Sequence, residues 1–570
     1  MVKKLKIPYG VSNFEKIQKE NYYFVDKTKY IELLEDYTAP VFLRPRRFGK
    51  TLLCSILECY YDINRENKFK QLFGDTYIGK NPTEEKNSCM VIRFNFSVIS
   101  VSNKLDKIET SFNNICRTVI GTFVSYYKNY LKEVDLNNTI PDVLYSIFNQ
   151  IKENNLPPLY IIIDEYDNFT NQLIQSHSDG LYGELTTGNS FLRTFFKAIK
   201  AGTEDNSVRR CYITGVLPIT IDDLTSGFNI AEIITLKDQF TNMLGFTQEE
   251  IDFYLDAVFD SYGFDRNNIE VVKVILRKYY NGYRFSPGSE TLYNSTISTF
   301  FMKNFVMDGG NIPRDFIDDN IRTDVNWIKR LAGTGKKARE MVEKLIYNRE
   351  LSYDYEMVKS KFNMNQFFEE ESFPVSLFYL GMLTFQDDYT MTFPNQTLET
   401  IFANYYNELE NISVSIGYTD YFRQFAKDMN LEKLFTGYFK RYLEQIPAQA
   451  CDKVNENFYR TTFYELCTRY LSKNFVLNIE SNYPSGRSDL EFLGKYHTEY
   501  KNLKWVVEFK HFSKKEAKKE GIYNLTEART KEVGQVSVYA ADILRQFPDY
   551  NITKYVIYTI SCETFRFFKL

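Results

Sequence analysis

Short apolar runs punctuate the first third of the chain at 40–43, 90–96 (MVIRFNF), 159–163 (LYIII) and 211–216 (CYITGV). Runs of this length without polar alternation fit strands buried on both faces. Helix-length segments separate them, so residues 1–238 are expected to form a mostly parallel α/β sheet. From about residue 240 the apolar spacing turns helical. The change begins with FTQEEIDFYLDAVF, where Thr247 is a natural N-cap and Glu250 completes a capping box. Breaks at SPGSE and DGGNIP interrupt this pattern without ending it, and residues 239–447 read as a mainly helical region. The last segment, 448–570, opens with a helix over NENFYRTTFYELCTRYLSKN. Strands follow near 476–480, 489–493 and 503–510, then a helix at 531–546 and a strand at 553–560, which makes a small mixed α/β unit.

Composition changes this picture little. A chain of 570 residues exceeds one hydrophobic core, and 44% hydrophobic with 25% charged residues is ordinary for a globular protein. No apolar run approaches the roughly 20 residues of a membrane helix, and MVKKLKIPYG lacks a secretory apolar stretch, so a cytoplasmic protein off the membrane is expected. The 8 cysteines are scattered without a C-x-x-C pair, and His177, His497 and His511 are not grouped with them. That pattern argues against structural zinc, a disulfide framework and a histidine-based nucleophile. The 44 Tyr and 48 Phe are read as core packing rather than base stacking. A net charge of -4 does not mark a nucleic-acid binder, so any such contact must come from a local patch. Residues 495–531 offer one, with ten Lys/Arg against five Asp/Glu, although KKEAKKE also reads as an ordinary solvated helix face.

Candidate chemistry lies at both ends. After the run at 40–43 comes RPRRFGKT, in which Gly49, Lys50 and Thr51 fill the second half of a Walker A loop. In such a loop backbone N–H groups wrap phosphate oxygens, the lysine meets the outer phosphates and the hydroxyl holds magnesium. Arg44 stands where the first glycine is expected. Arg44, Arg46 and Arg47 add positive charge suited to a polyphosphate, or to a nucleic acid or neighbouring subunit. Asp164 and Glu165 end the strand LYIIIDE, where an Asp can bind a magnesium shell and the next Glu can polarise water. A strand-end acidic pair that caps a helix is the plainer alternative. Thr214, ending CYIT, is placed as a polar sensor.

Near the other end stand Asp489 in GRSDL and Glu508 with Lys510 in WVVEFK. Residues two apart on a strand face one side, so Glu508 and Lys510 project together, and a hairpin through GKYHTEYKN brings Asp489 alongside. Two carboxylates can hold Mg²⁺, and the ammonium can stabilise a pentacovalent phosphate. An exposed cross-strand charge pair is the plain alternative.

RPRRFGKTLL, with YFVDKT, IIIDEYD, ITGVLPI and YNGYRF, resembles the AAA-ATPase-like family over about residues 5–290. The resemblance implies nucleotide binding at Gly49, Lys50, Thr51, Asp164 and Glu165; ATP is the expected ligand, with Arg47 and Thr214 added to its site, Mg²⁺ on Thr51 and Asp164, and Glu165 as catalytic residue. The D…E-x-K group resembles the PD-(D/E)XK nuclease superfamily over about 450–570. There the likeness implies metal on Asp489 and Glu508, and catalytic duty for Lys510. Glu465, with Glu456 second, matches the extra acidic position on the preceding helix, and Gln535 with Tyr539 matches a Q-x-x-x-Y element.

The expected fold class is α/β: an N-terminal P-loop NTPase with a mostly parallel sheet, a middle helical region, and a C-terminal restriction-endonuclease-like mixed α/β domain. The expected function is an ATP-binding, ATP-hydrolysing protein fused to a Mg²⁺-dependent nuclease acting on nucleic acid, DNA first, in defence or mobile-element biology. A homo-oligomer is left open. The alternative is a nucleotide-dependent switch or scaffold whose nuclease-like domain binds nucleic acid or protein without cutting.

Overall fold

The apolar runs at the start of the chain give β1 (Ala39–Leu43), β2 (Met90–Asn95), β3 (Leu159–Asp164) and β4 (Val208–Gly215), which β5 (Ala231–Ile233) completes to a five-stranded sheet. All neighbours pair in parallel in the order β2-β3-β4-β1-β5. A computed structural model describes residues 4–570 apart from 187, 189, 225–226, 319–324, 333–335, 360–361 and 447–449. The expected break at 447/448 therefore lies outside the described residues. β1 and β3 are buried at every position, as parallel strands sandwiched by helices must be. β5 is only three residues long and leaves no apolar run to read. Helix α1 (Lys50–Tyr61) follows β1 directly and begins at the carboxyl end of the sheet, where crevice ligands of parallel sheets bind.

The middle of the chain is mainly helical. It includes α2 (Gln248–Tyr262), α3 (Ile269–Tyr280), α4 (Ser295–Met307) and α5 (Gln396–Leu409). The capping box at Thr247 and Glu250 is formed. A small antiparallel sheet of β6 (Glu350–Ser352), β7 (Thr384–Phe385) and β8 (Thr390–Thr392) interrupts the helices, a feature the helical spacing does not foretell.

The last unit runs α6 (Glu456–Leu471), β9 (Phe475–Tyr483), β10 (Gly486–Gly494), β11 (Leu503–Phe512), α7 (Lys514–Lys519), α8 (Thr530–Gln546), β12 (Asn551–Ile560) and β13 (Thr564–Lys569). Its sheet order is β13-β12-β11-β10-β9, with only β11 and β12 parallel. Val536 and Ile543 of α8 pack with Val506 and Tyr558 on one face, while Phe463 of α6 packs near Phe509 on the other. Cys451 and Cys562 form a disulfide with Cα atoms 5.6 Å apart, which corrects the expectation from cysteine spacing. The pair is 111 residues apart in sequence, so no local motif announces it.

β9 is an edge strand, yet its backbone is not left open. Tyr279 of α3 donates to the Leu477 carbonyl (2.7 Å), and Gln396 of α5 both donates to that carbonyl (2.5 Å) and accepts from Ile479 N (3.1 Å). Lys278 donates to the carbonyls of Ile479 (2.9 Å) and Glu480 (2.5 Å). Helices of the middle region thereby satisfy groups that an edge strand otherwise presents to solvent or to another chain.

Candidate nucleotide and cleavage sites

The phosphate loop joins β1 to α1. Gly49 precedes the helix with φ 94°, in left-handed space, and Arg47 also has positive φ (72°). These turns aim the loop at the first N–H groups of a 12-residue helix, a ready anion site. Lys50 is buried and donates to the carbonyls of Arg44 (2.8 Å) and Pro45 (2.9 Å). Burial pulls its pKa down, against the opposing fields of Glu165, Asp167 and Asp164. A cavity of about 450 Å³ opens beside it. Arg47, Gly49, Lys50, Thr51 and Glu165 line one side, and Tyr23, Val25, Phe246 and Tyr254 add apolar walls. The apolar contribution from the N-terminal segment was missed from sequence, although YFVDKT carries it.

At the end of β3, Asp164 Oδ2 accepts from Arg93 of β2 (2.8 Å), and buried Oδ1 has no partner among the described residues. Glu165 has φ 52° and accepts from Asn168 (2.6 Å). Two expectations need correction. Arg44 does not offer its charge to a polyphosphate. It is 1% exposed, donates to the carbonyls of Leu43, Thr235, Phe240 and Thr241, and lies between the rings of Phe42 and Phe285. Its guanidinium ties the loop to the chain after β5. Thr214 is fully buried and donates to the Phe42 carbonyl (2.7 Å), so its hydroxyl serves the strand pair and does not line the cavity.

The second site forms where three strands run side by side. The β10–β11 register pairs Leu490 with Val507, which sets Asp489 beside Glu508 one step further on. Phe509 N donates to Asp489 Oδ2 (2.7 Å). Lys510, two residues on, lies 3.0 Å from Glu508 Oε1. The same ammonium donates to Glu456 Oε1 (3.2 Å) at the start of α6. Asp489, Glu508, Lys510 and Glu456 thus share one locus.

Charge crowding there is severe. Burial, then the charge of Asp489, pushes the Glu508 carboxyl up to about 8 against the pull of Lys510. Glu456 is raised for the same two reasons. Burial acts to lower Lys510, yet Glu508, Asp489 and Glu456 together hold its ammonium above its ordinary value. Among the described residues, buried Glu508 Oε2 has no partner, and Asp489 accepts one bond on each oxygen, Oδ1 from Arg460 and Oδ2 from Phe509 N. Among the described residues no set of three His, Cys, Asp or Glu forms a ready cation cage. Two carboxylates with spare lone pairs still suit Mg²⁺, which keeps much of its water.

Glu465 does not join this group. It is fully buried farther along α6, paired with Arg469 and accepting from Asn407, so the acidic member contributed by α6 is Glu456. Gln535 lies on α8, which packs on the sheet face of Val506, and its amide donates to Tyr539 (2.8 Å). Arg460, which donates to Asp489, and Glu480, which pairs with Arg460, were not found from sequence.

Two family models match parts of the chain. Residues 8–225 match the model described as Predicted AAA-ATPase, and residues 454–568 match that of the PD-(D/E)XK nuclease superfamily. The chain therefore has an N-terminal stretch that matches an AAA-ATPase-like domain and a C-terminal stretch that matches a PD-(D/E)XK nuclease superfamily domain. An uncharacterized protein in the vnfD 5' region of Azotobacter chroococcum mcd 1 is 26% identical over 300 residues, covering 51% of this chain and 50% of the relative. The chain thus spans about half the length of that curated relative. Among solved structures, the Walker-type ATPase PABY2304 of Pyrococcus abyssi aligns with 70% of this chain and 99% of its own, at 13% identity and TM-score 0.36.

Proposed function

We propose that this protein binds and hydrolyses ATP at the Gly49–Thr51 loop and cleaves phosphodiester bonds of nucleic acid, DNA first, at Asp489, Glu508 and Lys510. The observation that carries the cleavage reading is the meeting of two strand carboxylates and one ammonium beside Glu456, with Glu508 Oε2 buried and unpartnered. Asp489 and Glu508 would hold Mg²⁺. Such an ion, when bound, lowers the pKa of its water and neutralises charge growing on the phosphate. Lys510, fixed between Glu508 and Glu456, holds a full positive charge near the reacting phosphate, where it stabilises the transition state more than the ground state. In the first domain, Lys50 and the N–H groups of α1 bind phosphate, Thr51 and the free Asp164 Oδ1 fit a magnesium shell, and Glu165 orients water.

A second reading rests on Arg93. Its guanidinium holds one oxygen of Asp164 at 2.8 Å, an arrangement that suits a site that binds nucleotide and turns it over slowly, as a switch does. One assay separates these readings. Plasmid, single-stranded DNA and RNA are incubated with Mg²⁺ or Mn²⁺, with and without ATP, while phosphate release is followed. Cleavage lost in Lys510→Ala, and ATP turnover lost in Lys50→Ala and Glu165→Gln, support the full proposal. Cleavage that survives Lys510→Ala refutes the cleavage site, and phosphate release that ignores both other changes refutes the ATPase.

A further inference from the structure

Three strands bring Glu480, Asp489 and Glu508 into one row across the sheet. The β9–β10 ladder records Ser488 with Ser481 and Leu490 with Ile479, and Glu480 faces Asp489 between them. Glu480 has φ 49°, left-handed backbone that a glutamate seldom adopts inside a strand. Its carbonyl accepts from Lys278 of α3 (2.5 Å). Strained backbone persists only where its surroundings hold it, and here the surroundings are ionic. The Glu480 carboxylate lies 2.8 Å from Arg460, 2.7 Å from Arg349 and 3.2 Å from Arg487. Arg349 in turn lies 2.7 Å from Glu399 of α5.

Arg460 occupies the centre of this arrangement. It is 1% exposed, bonds Asn457 (2.7 Å) within α6, pairs with Glu480, and donates to Asp489 Oδ1 (3.2 Å). Phe509 N donates to Asp489 Oδ2, so the carboxylate is gripped at both oxygens while retaining lone pairs for a cation. Glu480 offsets the Arg460 charge, which lets the guanidinium orient Asp489 without repelling a metal as strongly as a lone cation would.

We propose that Arg460 is a positioning residue for Asp489, fixed by Glu480 and, through Glu480, by Lys278 of the middle helical region. The inference rests on the cleavage-site reading above and adds that the metal locus is complete only with the last domain seated on α3 and α5. Groups behind a metal ligand commonly change metal affinity by about 10- to 100-fold when removed.

The test is Mn²⁺ binding by calorimetry on the full chain, with thermal melts to verify folding. Asp489→Ala is the control for the site itself. Expected results are a roughly 10- to 100-fold weaker dissociation constant in Arg460→Ala, partial recovery in Arg460→Lys, and weakening in the same direction in Lys278→Met, which leaves every proposed ligand in place. Arg460→Ala binding as wild type does, or more tightly, overturns the inference, since Arg460 is then a bystander or a competing cation. If Arg460→Ala does not fold, Arg460→Gln, which removes the charge, decides, and wild-type affinity there overturns it. Wild-type affinity in Lys278→Met overturns the link through Glu480. Should Asp489→Ala itself bind Mn²⁺ normally, the metal reading falls, an outcome distinct from failure of the positioning role alone.

Discussion

Glu508 is a side chain whose charge state the fold shifts strongly. Buried beside Asp489, with Lys510 and Glu456 facing it, its carboxyl is raised from 4.5 to about 8. A raised folded-state pKa means the native protein holds a proton that the unfolded chain has released. The stability from that proton is fully present below the unfolded value and is lost as pH rises through about 8. The metal-free protein is therefore expected to melt at progressively lower temperature between about pH 5 and 8. Glu508→Gln should flatten that slope and raise the melting temperature at the alkaline end. An unchanged slope in the variant removes Glu508 as its cause. Strand parity made Glu508 and Lys510 legible in the sequence, because alternate residues must share a face, and the hairpin through GKYHTEYKN set Asp489 beside them. Glu456 was harder, since the rotation of α6 against the sheet is set by packing. Arg469, four residues after Glu465, was the available signal that Glu465 already had a helical partner. Arg44 was read as a free charge because sequence does not say whether a loop arginine faces solvent or carbonyls.

Among elements, the turn into α1 is held by backbone conformation. A Cβ on Gly49 would meet nothing closer than Ser295 Oγ at 3.6 Å, so space is not the obstacle, whereas φ 94° is. Gly49→Ala should cost roughly 1–2 kcal/mol of stability and weaken ATP binding by tilting the first N–H groups of the helix. Melts and nucleotide titration check both, and an unchanged affinity would mean the loop does not wrap phosphate as described. The long buried strands and the capped α2 were visible beforehand because each carries its own period or cap. β5, β13 and the small β6-β8-β7 sheet were not. The two- and three-residue strands are too short for an apolar pattern, and β13 has partly exposed positions, so tertiary pairing defines them all.

At the scale of the whole molecule, one route of contacts joins the two sites. Asn294 donates its side chain to the Arg46 carbonyl (3.2 Å) in the phosphate loop and its backbone N–H to the Tyr280 carbonyl (3.3 Å) at the end of α3. The two residues before Tyr280 grip β9, opposite Asp489. ATP is accordingly expected to change the rate of nucleic-acid cleavage, and Lys50→Ala to abolish that change while leaving the ATP-free rate intact. Equal rates with and without ATP in the wild-type protein would show that the last domain acts independently of the first. No described helix is long and apolar enough to cross a membrane.

The hold of Tyr279, Lys278 and Gln396 on β9 also bears on any attempt to study the last domain alone. Severed at about residue 454, that fragment would bare a nine-residue ribbon of main-chain donors and acceptors. Bare ribbons of this kind recruit one another. Light scattering should find the excised fragment assembling into multimers, and a short synthetic strand matched to β9 should cap it and keep it monodisperse.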